Sequence, residues 1–150
     1  MTEPAAAPSP PDPIPDDPRR LAQADLVRQL LSGLMAQAAA YELAASHASG
    51  MLRQSLVDLY RALEAEIAAL TPLAGALGVT LPTPPAPGDP ERPWGAILGE
   101  AFQAERTLQR LARELASVAG DPAMVALSTR LNSEIARDRE GVRRLYLRYT

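Results

Sequence analysis

Apolar residues recur along this chain at steps of three and four in four separate runs, the spacing of one buried helix face. The first passes through Val27, Leu30, Leu34, Ala38, Tyr41 and Ala45, the second through Leu52, Leu56, Leu59, Leu63, Ile67 and Leu70. The third holds Trp94, Leu98, Phe102, Leu108, Leu111, Leu115 and Val118; the fourth holds Met124, Leu127, Leu131, Ile135, Val142 and Leu145. Local signals bound each run. Asp17-Pro18 and Asp121-Pro122 pair a capping carboxylate with a proline at the first helical position, where no amide hydrogen is missed. His47 to Gly50 is a short polar turn. Pro72 kinks or ends the second helix, and Gly78 is its latest stop. The third helix starts near Asp89-Pro90 or Pro93 and ends at Gly120.

Connection lengths then set the topology. Two tight turns make two antiparallel hairpins. Between them the segment 78–92, about fifteen residues, exceeds the ~2–8 that join bundle neighbours. Its prolines favour an extended form of ~3.1 Å per residue, a reach of ~45 Å. A helix of roughly 27 residues is about 40 Å long. The prediction is an all-α four-helix bundle over 18–150, with 78–92 as a Pro-rich crossover running its length. An up-down-up-down bundle with a free middle loop is the alternative.

Composition agrees and narrows the function. Of 150 residues 47% are hydrophobic but only 4% aromatic, so a close-packed helical core is favoured over a sandwich or barrel. Fifteen prolines concentrate in the first eighteen residues and in the crossover. The start, 1–17, is Pro-rich and acidic (Glu3, Asp12, Asp16, Asp17) and reads as a disordered tail. It has no basic or apolar targeting pattern, and no run reaches the ~20 apolar residues of a membrane span. A cytoplasmic protein with no membrane role is expected. With no cysteine and no lysine, disulfides, thiolate metal sites and Schiff-base chemistry are excluded. The one histidine, His47, falls in the first turn and excludes a His-rich metal centre. A net charge of −3 gives no general reason to bind nucleic acid.

Three acids break the apolar stripes. Glu105 lies three after Phe102 and three before Leu108; Glu134 lies three after Leu131; Asp138 lies three after Ile135 and four before Val142. Folding the second hairpin about Gly120-Asp121 sets Glu105 opposite the stretch between the other two. A buried charge costs several kcal/mol unless compensated. A metal, a hydrogen-bond network, raised pKa values or a wet edge must supply the compensation, with Gln37 and Tyr41 as the nearest polar candidates.

The two-hairpin pattern, the Asp121-Pro122 phrase and the inward acids resemble the ferritin-like superfamily, and most closely its small bacterial domains. The resemblance implies a di-metal centre with one Glu on each of two helices and Glu-x-x-His on the other two. Glu105 matches the single Glu, and Glu134 matches the Glu of the fourth helix. Arg137 replaces that helix's histidine, Ala38 and Ala62 fall where the first hairpin would supply ligands, and Ala65 stands in place of the second histidine. A degenerate site is therefore expected: a non-catalytic structural or interaction module, partnered by another protein or a second copy, with no cofactor. The alternative is a divalent metal held by Glu105, Glu134 and Asp138, for binding or oxidoreductase chemistry. Oxygen ligands of this kind suit Mg²⁺, Ca²⁺ or Mn²⁺ better than a di-iron oxidase. A second alternative is binding of an anion or nucleic acid by Arg139, Arg143, Arg144 and Arg148 near the last helix's end. Arginine there also complements the helix dipole.

Overall fold

Four α-helices account for the described chain, α1 (Pro18–Ser46), α2 (Gly50–Ala76), α3 (Trp94–Ser117) and α4 (Pro122–Tyr149). The structure is a computed structural model that describes residues 17–83, 86, 88–89 and 91–150. The tail expected at 1–17 therefore lies, except for Asp17, outside the described residues. Both Asp-Pro starts form as their chemistry requires. The Asp17 carboxylate accepts from the Arg19 amide at 3.1 Å, and that of Asp121 from the Met124 amide at 2.8 Å. Helix α3 begins at Trp94, after Pro93; Asp89 instead closes a turn by accepting from the Glu91 amide.

Pro72 sits inside α2 without ending it. The helix stops at Gly78, whose φ of +71° is left-handed backbone that a side chain disfavours. The Gly78 amide donates to the Gly75 carbonyl and the Val79 amide to that of Ala74, so the last carbonyls are satisfied while Val79 tucks into the core. No atom crowds a Cβ built at Gly78, so backbone strain alone sets the cost of a side chain there. Gly78→Ala is expected to lower stability by about 1 kcal/mol, read as a shift in denaturation midpoint at unchanged slope. An unchanged midpoint would show that the end of α2 frays without consequence.

The helices pack in a ring. α1 lies on α2 and α3, and α4 lies on α3 and α2, while neither diagonal pair makes close contact. Side-chain links fix the directions. Arg20 donates to the Ala76 carbonyl, so the start of α1 meets the end of α2. Gln23 donates to the Val118 carbonyl and Gln37 to that of Ala101, so α1 and α3 are antiparallel. Met51 meets Arg148, which sets the start of α2 beside the end of α4. Consequently α2 and α3 run the same way, and the segment between them has to travel the length of the bundle. Pro82 lies beside Gly33 and Leu108, and Gly88 and Asp89 beside Ala40 and Leu43, so this crossover runs over the seam between α1 and α3. The free-loop alternative is thereby excluded. α1 and α3 come close at Gly33, where a Cβ would stand 2.6 Å from Leu108 Cδ2.

The core between the helices is chiefly leucine, with Val27, Ile135 and Val142. Trp94 is half-buried and packs against its edge. No described helix is long and apolar enough to cross a membrane.

Candidate functional site

Each helix contributes polar groups to the interior near mid-height: Gln37 and Tyr41 from α1, Glu66 from α2, Glu105 and Gln109 from α3, Asp138 from α4; Ser128, nearer the start of α4, is also buried. All of them are almost wholly inaccessible, with exposures of 1% for Glu66, 0% for Glu105, 2% for Tyr41 and 6% for Asp138. Ser128 is satisfied within its own helix by the Met124 and Val125 carbonyls. The carboxyls are different, because among the described residues no arginine side chain forms an ion pair with Glu66, Glu105 or Asp138.

They are arranged in two pairs. The Tyr41 hydroxyl donates to Glu105 Oε1 at 2.7 Å and accepts from Gln37 Nε2 at 2.8 Å. Gln37 also donates to the Ala101 carbonyl at 3.0 Å, which locks α1 to α3 at this level. On the other side of the core the carboxyls of Glu66 and Asp138 face each other within hydrogen-bonding reach. As two carboxylates neither could donate. Glu66 Oε1 and Oε2, Glu105 Oε2 and Asp138 Oδ2 are all buried without a hydrogen-bond partner.

Protons resolve this conflict. Burial, followed by the hydrogen bond and repulsion from Asp138, pushes the Glu66 carboxyl up to about 10. Burial likewise raises Glu105 to about 8, opposed by the bonds from Tyr41 and Gln37. Asp138 rises to about 6 through burial, with the Glu66 bond pulling it down. At neutral pH Glu66 is thus a neutral acid able to donate to an ionised Asp138, a shared proton of the kind close carboxyl pairs require. Burial and the neighbouring Glu105 carboxylate also hold the Tyr41 hydroxyl protonated.

The residues singled out in the sequence divide accordingly. Glu105 and Asp138 do enter the core. Glu134 stays at its edge, bonded to Arg130 at 2.8 Å and still contributing repulsion to Glu66 and Asp138. Glu66 is the addition. It lies three after Leu63 and four before Leu70, the same interruption of a stripe that marks Glu105, but its neighbour Ile67 fits the stripe and draws attention away. The resemblance aligns the missing second histidine with Ala65, which is exposed. His47 is exposed at the end of α1.

The oxygens without partners have the hardness a divalent cation prefers. Their placement does not suit one: among the described residues, no group of three or more His, Cys, Asp or Glu side chains is arranged to hold a metal ion. A partly enclosed cavity of about 300 Å³ under the crossover reaches Gln37 and Tyr41, past a mouth where Arg92 and Glu100 form an ion pair. Neither Glu66 nor Asp138 lines it.

The four arginines of α4 do not form one patch. Arg143 and Arg144 both pair with Glu140, and Arg148 turns to Met51 and the Tyr149 ring. Arg144 and Arg148 lie on the α2 side, whereas Arg143 and Arg139 lie on the α3 side, where Arg139 donates to Gln109 Oε1 at 3.0 Å and lies 5.0 Å from the centre of the Phe102 ring. Comparison with known proteins returned no match, whether to family models, to curated proteins or to solved structures.

Proposed function

We propose that this chain is a non-catalytic ferritin-like bundle, a structural or protein-interaction module in which protons occupy the place of a metal. The observation that carries the reading is the pairing of the buried acids. Glu66 is matched with Asp138 and Glu105 with Tyr41, so that protons retained by the buried groups complete each contact. The kinship is supported by the lengthwise crossover and by acids at one level of the bundle, where the histidines of a di-metal centre are replaced. An acid core of this kind costs stability that leucine would supply. It does make the register between helices specific, since a slip by one turn strands a carboxyl.

The test is elemental analysis of the untagged protein after expression with added iron and manganese, beside a Glu66→Gln/Glu105→Gln variant. The expected result is substoichiometric metal in both and a melting temperature indifferent to chelator. Near-stoichiometric metal lost in the variant would establish the second reading, a divalent cation recruited by the orphaned oxygens of Glu66, Glu105 and Asp138.

A further inference from the structure

A groove of about 440 Å³ runs along the outer seam of α3 and α4, lined by Arg106, Arg110, Arg113 and Arg139 with Gln103, Thr107 and Gln109. Among the described residues no carboxylate lines it. Arg110 is bridged at 2.9 Å by Glu114, from outside the lining, whereas Arg106 and Arg113 make no ion pair among the described residues. On α3 the spacing 106, 110, 113 places three guanidiniums on one face, where like charges repel. Arg139 faces them from α4, half-buried and already fixed by the Phe102 ring and by Gln109. Only one of its N–H donors is used there, so a held guanidinium offers the rest to the groove. A chain of net charge −3 has thus gathered four of its fifteen arginines around one cleft.

We infer that this groove binds a compact oligophosphate. Planar guanidiniums take phosphate oxygens two at a time. The three α3 arginines cover about 10 Å of helix axis, a length suited to a short run of phosphoryl groups. The amide side chains of Gln103 and Gln109 can donate to the bridging and terminal oxygens. The negative charge over the remainder of the chain opposes a long polyanion lying across it. The site is independent of the acid core, since none of its lining residues belongs to the buried pairs.

Calorimetric titration of the full chain with sodium tripolyphosphate at low salt is the test, with a nucleoside triphosphate and a single-stranded DNA 12-mer alongside. One tripolyphosphate per chain is expected, weakening steeply as salt is raised. Arg106→Gln/Arg113→Gln, both at exposed positions, should lose at least about tenfold in affinity. Arg144→Gln/Arg148→Gln, which lie on the α2 side of α4, should stay within about twofold. Equal binding of tripolyphosphate and the nucleotide identifies the phosphate chain as the ligand, and tighter nucleotide binding identifies its nucleotide form. No heat with tripolyphosphate, an equal loss from both double variants, or DNA binding tighter than either small ligand would overturn the inference.

Discussion

Between pH 6 and pH 8 the protein is expected to lose stability on the order of 5 kcal/mol, and Glu66→Gln/Glu105→Gln should abolish most of that slope. The sign follows from the direction of the shifts. In the unfolded chain a Glu carboxyl ionises near its ordinary value of about 4.3. In the fold Glu66 keeps its proton until about 10 and Glu105 until about 8. The folded state therefore holds two more protons than the unfolded state across this interval, and stability falls by about 1.4 kcal/mol per pH unit for each of them. The stabilisation is complete below the unfolded value of about 4.3 and is lost steadily as pH climbs to the folded values. Asp138 adds to the loss only up to about 6, above which it is ionised in both states. The groups facing this centre are all accounted for on its four sides: Tyr41 and Gln37 from α1, Glu66 itself from α2, Glu105 from α3, and Asp138, Glu134 and the mildly opposing Arg137 from α4. Thermal melts from pH 5 to pH 9 check this, with a melting temperature lower by roughly 10 °C at pH 8 than at pH 6. A flat profile for the natural chain, or an equally steep one for the double variant, would mean that the acids are ionised and otherwise compensated.

The fold was legible because its signals are local and additive. Apolar spacing, two Asp-Pro caps and the Gly78 stop each act within a turn or two, and each survives into the structure. The crossover was legible for another reason: its length alone made a lengthwise path feasible, and contacts at both ends of the bundle made it necessary. The interior acids were half legible. Glu105 and Asp138 break their stripes in plain view, and Glu66 breaks one as well, but Leu63, Ile67 and Leu70 already make an acceptable face. The choice between Glu66 and Ile67 depends on the rotation of α2 against α4, which no local signal fixes. The arginines were the least legible. Their grouping on α4 is a fact of sequence, yet neighbours on a helix point to different flanks, and Glu140 neutralises two of them. The basic groove arises only when α3 and α4 come together, from residues thirty positions apart.

Tyr41→Phe is expected to cost about 2 kcal/mol at pH 7, a large penalty for the loss of one oxygen. The hydroxyl is the principal hydrogen-bonding partner of the Glu105 carboxyl, ahead of Gln37, and the other carboxyl oxygen is already orphaned. Without it the buried carboxyl loses that partner, and Gln37 loses an acceptor while keeping its bond to Ala101. The phenyl ring still fills the space, so no cavity contributes. Because the Tyr41 bond lowers the Glu105 pKa, its removal should also drive that proton to higher pH and extend the alkaline loss of stability. Glu105→Met separates this account from simple packing. Combined with Tyr41→Phe it leaves neither a stranded carboxyl nor a stranded hydroxyl, so the double variant should cost less than the two single changes together by about 1–2 kcal/mol. Urea denaturation of the four species gives that coupling directly. Additive costs, or a Tyr41→Phe protein within about 0.5 kcal/mol of the natural chain, would remove the hydrogen-bonded pair from the forces that set the register of α1 on α3. A stability unchanged by Tyr41→Phe together with a loss of bound metal would instead place Tyr41 beside a cation, and the acids of the core would have to be read as its ligands.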